Sequence, residues 1–229
     1  MHHDLLRHPL SRVADEGTSA LSSLTEVLTE YVDGLSQVNP DDLRRAEALA
    51  FWINLYNAGA LNLVARAEST NTPTVLGVPG GFGSKFVSID GEQLSLDDIE
   101  HGKIRRFGDP RIHAALVCGS ISCPTLRGEP YQGPSVDQQL DDQLRYLLAA
   151  GGCTVDRAGE RVLLSRIFLW YGSDFSRPHR MPTLLPASRR SVLAALSPWL
   201  DREIVDWIES TGPEVEFQPY DWGLGCAMR

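Results

Sequence analysis

The stretch AFWINLYNAGALNLVA, residues 50–65, is apolar on almost every side of a helical wheel, and this constrains the fold more than any other segment. A helix that is hydrophobic all round must be surrounded, so it predicts the centre of a core rather than an amphipathic surface element. Upstream, Asn39-Pro40-Asp41-Asp42 offers an N-cap, a proline at the first helical position and two acids in the first turn, and a long helix is expected from there to about Ala67. The polar exceptions in it are Asn54, Asn57 and Asn62. Asn54 and Asn57 share one helix face, and Trp52 and Tyr56 share another. A buried amide demands partners, so these asparagines are expected to satisfy backbone groups or to orient a catalytic histidine.

The remaining elements follow from periodicity. Ala20 to Leu35 carries apolar residues at helical spacing. NTPTVLGVPGGFGS marks a loop, and KFVSIDGEQLSL reads as a hairpin with an Asp-Gly turn. Ser95 and Asp98 fit a capping box that opens a helix containing Glu100 and His101. IHAALVC, from Ile112 to Cys118, is apolar enough for a central strand. Ser135 can cap a helix ending near Gly151, CTVDRAGERVLLS gives a second hairpin, and SRIFLWYGSDF a short aromatic helix. Helices around Ser188 to Leu196 and Pro198 to Glu209 precede a last strand, VEFQPY. The expected class is α+β: a single domain, with a small antiparallel-leaning sheet and hairpins packed by several helices.

The chain has 229 residues, 42% of them hydrophobic, enough for a real core, and no linker forces two domains. A net charge of −9 and a pI near 5.1 favour repulsion from phosphate backbones and anionic lipid, so neither nucleic acid nor membrane is an expected partner. Arg105, Arg106 and Arg111, and further on Arg189 and Arg190, read as solvated faces. Four cysteines, Cys118, Cys123, Cys153 and Cys226, are too few for a disulfide framework. No stretch is expected to span a membrane and MHHDLLRHPLSRVADEG lacks a secretory pattern, so a cytoplasmic location with reduced thiols is expected.

AFWINLYNA, SLDDIEHGKIR, RIHAALVCGSISCPTLRGEPY, LLSRIFLWYGSDF and YDWGL, in that order along most of the chain, resemble the DUF547 family, a domain of unknown function. The resemblance implies an N-terminal helical extension over 1–38 and a DUF547-like α+β domain over 39–229. It implies no reaction, so chemistry is argued from the residues. One departure is visible: the family pattern ends Tyr-Asp-Trp-Ser-Leu-Asn, and Gly223 and Gly225 stand here at the serine and asparagine places.

The chemistry concentrates in RIHAALVCGSISCPTLRGEPY. A cysteine becomes a nucleophile beside a histidine, a cation or a helix N-terminus. Cys118 lies at the end of the expected strand and Cys123 in the loop before Pro124. On a regular strand His113 and Cys118 point to opposite faces, which turns attention to Cys123 and to His101. Two readings stay open. In the first, the chain is a cysteine-dependent hydrolase or transferase of acyl or amide groups: Cys123 or Cys118 is the nucleophile, His113 or His101 the base, and Glu100 or Asn54 the orienting group. Backbone N–H groups from Gly119 to Cys123 would form an oxyanion site. In the second, the chain is a non-enzymatic ligand-binding or interaction module, in which the same loop is a structural turn and the aromatics line a groove; Cys118 then reads as core filling, His113 as structural, and Glu100 and His101 as part of a charged surface helix. Arg105, one turn from His101, is placed to hold a carboxylate.

Asn54, Asn57, Arg105, Arg127, Tyr131, Trp170, Tyr220 and Trp222 make up the candidate binding set, for a small-molecule or peptide-like substrate. A zinc site from His113, Cys118 and Cys123 lacks knuckle spacing and a fourth ligand, so no metal and no cofactor is expected. Phosphate-loop, dinucleotide and Gly-x-Ser-x-Gly signatures are absent.

Overall fold

The computed structural model describes residues 3–177 and 186–225; Cys226 lies outside them. Within these residues the chain clusters into two units, 3–107 with 115–139 and 221–225, and 108–114 with 140–177 and 186–220.

The first unit is built on the apolar helix. α1 (Arg7–Glu16) and α2 (Leu21–Ser36) precede α3 (Arg45–Ser69), and α2 lays Leu21, Leu24, Leu28, Val32 and Leu35 inward. α3 is buried almost throughout, including Asn54 and Asn57. It is also long and apolar enough to cross a bilayer, contrary to expectation, but 94% of its most apolar window is buried inside the protein, as befits a core helix.

α3 begins later than the cap signal suggests. Asn39 does cap, accepting the Asp41 amide, but it closes only a 3-10 turn over Pro40–Asp42. Leu43 and Arg44 are extended, and the long helix opens at Arg45 with the Arg44 amide and guanidinium both donating to the Glu47 carboxylate. The Arg44 guanidinium holds the Glu47 carboxyl down at about 2.

The Asp-Gly hairpin forms as read: β1 (Val87–Ile89) pairs antiparallel with β2 (Glu92–Leu94), with Asp90 and Gly91 both left-handed in the turn. The capping box also forms. Ser95 Oγ accepts the Asp98 amide at 3.1 Å and Asp98 returns a carboxylate to the Ser95 amide at 2.8 Å. The helix it opens, Asp98–Lys103, is a π-helix.

The expected central strand over Ile112 to Cys118 does not exist. Pro110–Ala114 is a 3-10 helix started by Asp109, whose carboxylate takes the Arg111 amide, and the residues after it form no strand. A side chain replaces the missing neighbour strand. Asn57 Nδ2 donates to the Ala115 carbonyl at 3.0 Å, and Asn57 Oδ1 accepts the Val117 amide at 3.1 Å. Asn54 does the same for Tyr131, at 2.8 and 2.9 Å. The argument that His113 and Cys118 face opposite ways falls with the strand.

α4 (Val136–Leu147) continues through a π-turn to Gly151, left-handed at φ 110°, where the helix ends. The second unit then holds a three-stranded sheet. β3 (Cys153–Asp156) pairs antiparallel with β4 (Arg161–Leu164), and β4 pairs parallel with β5 (Glu214–Phe217). α5 (Ile167–Trp170), α6 (Gly172–Ser176), α7 (Arg189–Leu196) and α8 (Arg202–Thr211) complete it. Val162, Leu164 and Val215 from the sheet meet Phe168, Phe175, Val192 and Leu196 from the helices in one core.

Candidate functional site

In the first unit, residues 118–123 form a tight turn. Gly119 is left-handed at φ 78°, and a Cβ there would stand 2.1 Å from Val64 Cγ2, so both backbone and space require glycine. The Cys123 amide closes the turn on the Ser120 carbonyl at 3.1 Å. The Cys118 amide N–H then points at the Cys123 sulfur, 2.8 Å away, while Cys118 Sγ lies 3.0 Å from Ser120 Oγ. Both cysteines are thiols and half-buried.

The C-terminal motif straps this turn. Ile121 donates its amide to the Gly223 carbonyl at 2.9 Å and Ser122 to the Asp221 carbonyl at 3.2 Å; Gly225 donates to Gly119 at 3.1 Å. Ser122 Oγ accepts the Asp221 amide at 2.9 Å, and Ser120 bridges Leu224. Gly223 and Gly225 lie under Ile121, whose side chain would be 3.0 Å from a Cβ at 223 and 2.9 Å from one at 225. With the amides of Ile121, Ser122 and Cys123 committed to carbonyls, the expected oxyanion site cannot use those three donors.

Glu100, on the π-helix, is buried at 8% exposure, and Tyr56 of α3 donates its hydroxyl to Glu100 Oε2 at 3.2 Å. π-turns recur at functional positions, where the widened turn re-aims a side chain. His101 Nδ1 is 3.8 Å from Glu100 Oε1 and 3.4 Å from Arg105 Nη1. The Arg105 guanidinium thus reaches the imidazole. Burial raises the nearby Asp97 carboxyl above its usual range. Arg127 is forked onto Glu129 through Nε at 3.0 Å and Nη2 at 2.8 Å, and its hydrogen bond draws the Glu129 carboxyl down.

In the second unit, His113 is 4% exposed and its Nε2 lies 2.9 Å from Asp174 Oδ2. Tyr171 stacks on the imidazole with ring centres 3.8 Å apart and planes 17° from parallel, and Phe175 flanks it at 6.1 Å. A carboxylate-bound, ring-stacked histidine has a fixed orientation and tautomer, the arrangement of a proton carrier and its orienting group. Asp174 was missed by sequence reasoning, although it lies in the motif LLSRIFLWYGSDF; an acid set among aromatics there was the available signal. Trp170 and Tyr220 pack together at 4.8 Å, with Trp170 41% exposed. Trp222 belongs to the first unit.

Cys153 lies in β3, and burial raises its thiol from the ordinary 9.0 to about 11. Among the described residues no three His, Cys, Asp or Glu side chains gather in a metal-holding arrangement.

A family model described as "Protein of unknown function, DUF547" matches residues 40–147. The matched span includes α3, the π-helix and the thiol turn, and stops before LLSRIFLWYGSDF and YDWGL. No curated protein and no solved structure matches the chain.

Proposed function

For this chain, whose residues 40–147 match the DUF547 family model, we propose a cysteine-dependent enzyme that hydrolyses or transfers acyl or amide groups, with Cys123 as nucleophile. The supporting observation is the Cys118 N–H directed at the Cys123 sulfur at 2.8 Å. An amide dipole aimed at sulfur supports negative charge on it, and the thiolate is the attacking form. A backbone donor is also fixed in place, so it costs no reorganisation when charge develops.

In the reaction, the Cys123 thiolate adds to the substrate carbonyl carbon and a C–S bond forms. The C–N or C–O bond breaks, and the leaving group departs with the proton first taken from the thiol. Water or a second nucleophile then cleaves the thioester, releasing the acyl group and restoring the thiol. The proton carrier is a histidine, His113 or His101.

Iodoacetamide labelling of the reduced native protein at neutral pH, mapped by peptide mass spectrometry, tests this reading. Cys123 should be labelled well ahead of Cys153, and His113→Ala or His101→Ala should alter the pH profile of Cys123 labelling for whichever histidine serves. Uniformly slow labelling of Cys118 and Cys123 would overturn the proposal.

A further inference from the structure

Two thiols in one turn, five residues apart, permit chemistry that acyl transfer does not use. We propose that Cys118 and Cys123 are a peroxide-responsive pair that closes a reversible intramolecular disulfide and thereby switches off the Cys123 thiolate. The inference deepens the acyl-transfer reading, on which its regulatory consequence rests.

The geometry carries it. The Cys123 sulfur lies 2.8 Å from the backbone nitrogen of Cys118, and the Cys118 Cβ is two covalent bonds from that nitrogen. Disulfides join residues whose Cα atoms are about 4.4–6.8 Å apart, a separation this approach allows. The Cys118 sulfur rests on Ser120 Oγ at 3.0 Å, and rotation about its Cα–Cβ bond turns it toward Cys123. The rest of the turn is held by Gly119 and by the ladder to residues 221–225, so closure asks for side-chain rather than backbone rearrangement. Both thiols are half-buried, which favours a small oxidant such as hydrogen peroxide.

The steps balance. The Cys123 thiolate gives an electron pair to one peroxide oxygen: an S–O bond forms, the O–O bond breaks, and hydroxide leaves. The resulting sulfenic acid is attacked by the Cys118 sulfur. An S–S bond forms, the S–O bond breaks, and the departing hydroxide and the Cys118 proton make water. Two electrons have passed from the thiol pair to one peroxide. Cys153, raised to about 11 by burial, stays outside this exchange.

The test treats the reduced full chain with hydrogen peroxide and follows intact mass and iodoacetamide labelling before and after dithiothreitol. The expected product is lighter by about two hydrogens, with Cys118 and Cys123 both protected and both recovered on reduction. In Cys118→Ser, whose fold is checked by circular dichroism, Cys123 should pass to sulfinic acid with no such product. Cys123 protected while Cys118 still labels would mean that sulfur has closed on the Cys118 amide nitrogen, and this overturns the disulfide. Direct passage of Cys123 to sulfinic acid in the parent chain overturns it too. Fast labelling of reduced Cys123 without a disulfide removes only the switch. A disulfide formed by a Cys123 that labels slowly when reduced upholds the pair and removes the acyl-transfer reading.

Discussion

Asn57 stands to Val117 as a neighbouring strand would: its Oδ1 accepts the Val117 amide at 3.1 Å while its Nδ2 donates to the Ala115 carbonyl at 3.0 Å. One side chain from the core helix therefore satisfies one carbonyl and one amide of the segment leading into the thiol turn.

Asn57→Leu keeps the size of the side chain and removes both bonds. Each buried group left unsatisfied costs about 1–3 kcal/mol. Urea denaturation is expected to show a lowered midpoint with little change in slope. An unchanged midpoint would show that the segment finds other partners.

Gly119→Ala is expected to be strongly destabilising, by about 1–3 kcal/mol from overpacking alone. The left-handed φ of 78° and the 2.1 Å approach to Val64 both act against a Cβ. Pairing it with Val64→Ala should recover part of the loss in a double-mutant cycle, because the two residues touch. Strict additivity would mean that the backbone conformation alone carries the penalty.

An ionised carboxylate can only accept, so the 2.9 Å contact between His113 Nε2 and Asp174 Oδ2 predicts a proton on Nε2. Nitrogen-15 spectra of the imidazole should report that tautomer. Asp174→Ala should remove the preference and cost about 1.5–3 kcal/mol, the range for a hydrogen bond to a charged group. A parent protein with the proton on Nδ1 alone would contradict the pairing.

Cys153 supplies a pH prediction with a definite sign. Its thiol is raised from 9.0 to about 11 by burial, so the folded protein holds this proton more tightly than the unfolded chain. The associated stability is complete below about pH 9 and is lost as pH rises to about 11. Thermal unfolding of the parent against Cys153→Ala across that window should converge as pH increases. Labelling of Cys153 should be negligible at neutral pH and accelerate toward pH 11; fast labelling at pH 7 would contradict the assignment.

The elements governed by local chemistry were readable from residues alone. Both hairpins, the Ser95 and Asp98 cap and α2 lie where turn residues and apolar spacing place them, because the deciding interactions span a few residues. The Ile112 to Cys118 strand was misread because its backbone partner is Asn57, a side chain some sixty residues away. Asn39 and Pro40 gave true capping chemistry but could not say how long the helix they open would run. Cys118 and Cys123 were visible as residue types, whereas their mutual approach depends on a left-handed Gly119 packed against Val64. The partnership of His113 with Asp174 joins residues 61 positions apart, and no periodicity encodes it.

Ser122 and Asp221 are joined across 99 positions, so the strap over the thiol turn is a long-range contact. Closing so long a loop delays the contacts that depend on it. During synthesis the segment carrying both cysteines emerges well before the residues that strap it, so the bonds from residues 221–225 can be added only after the chain has been made through residue 225. The strap therefore closes over a turn whose own contacts, from Val64 to Cys123, are already in the chain.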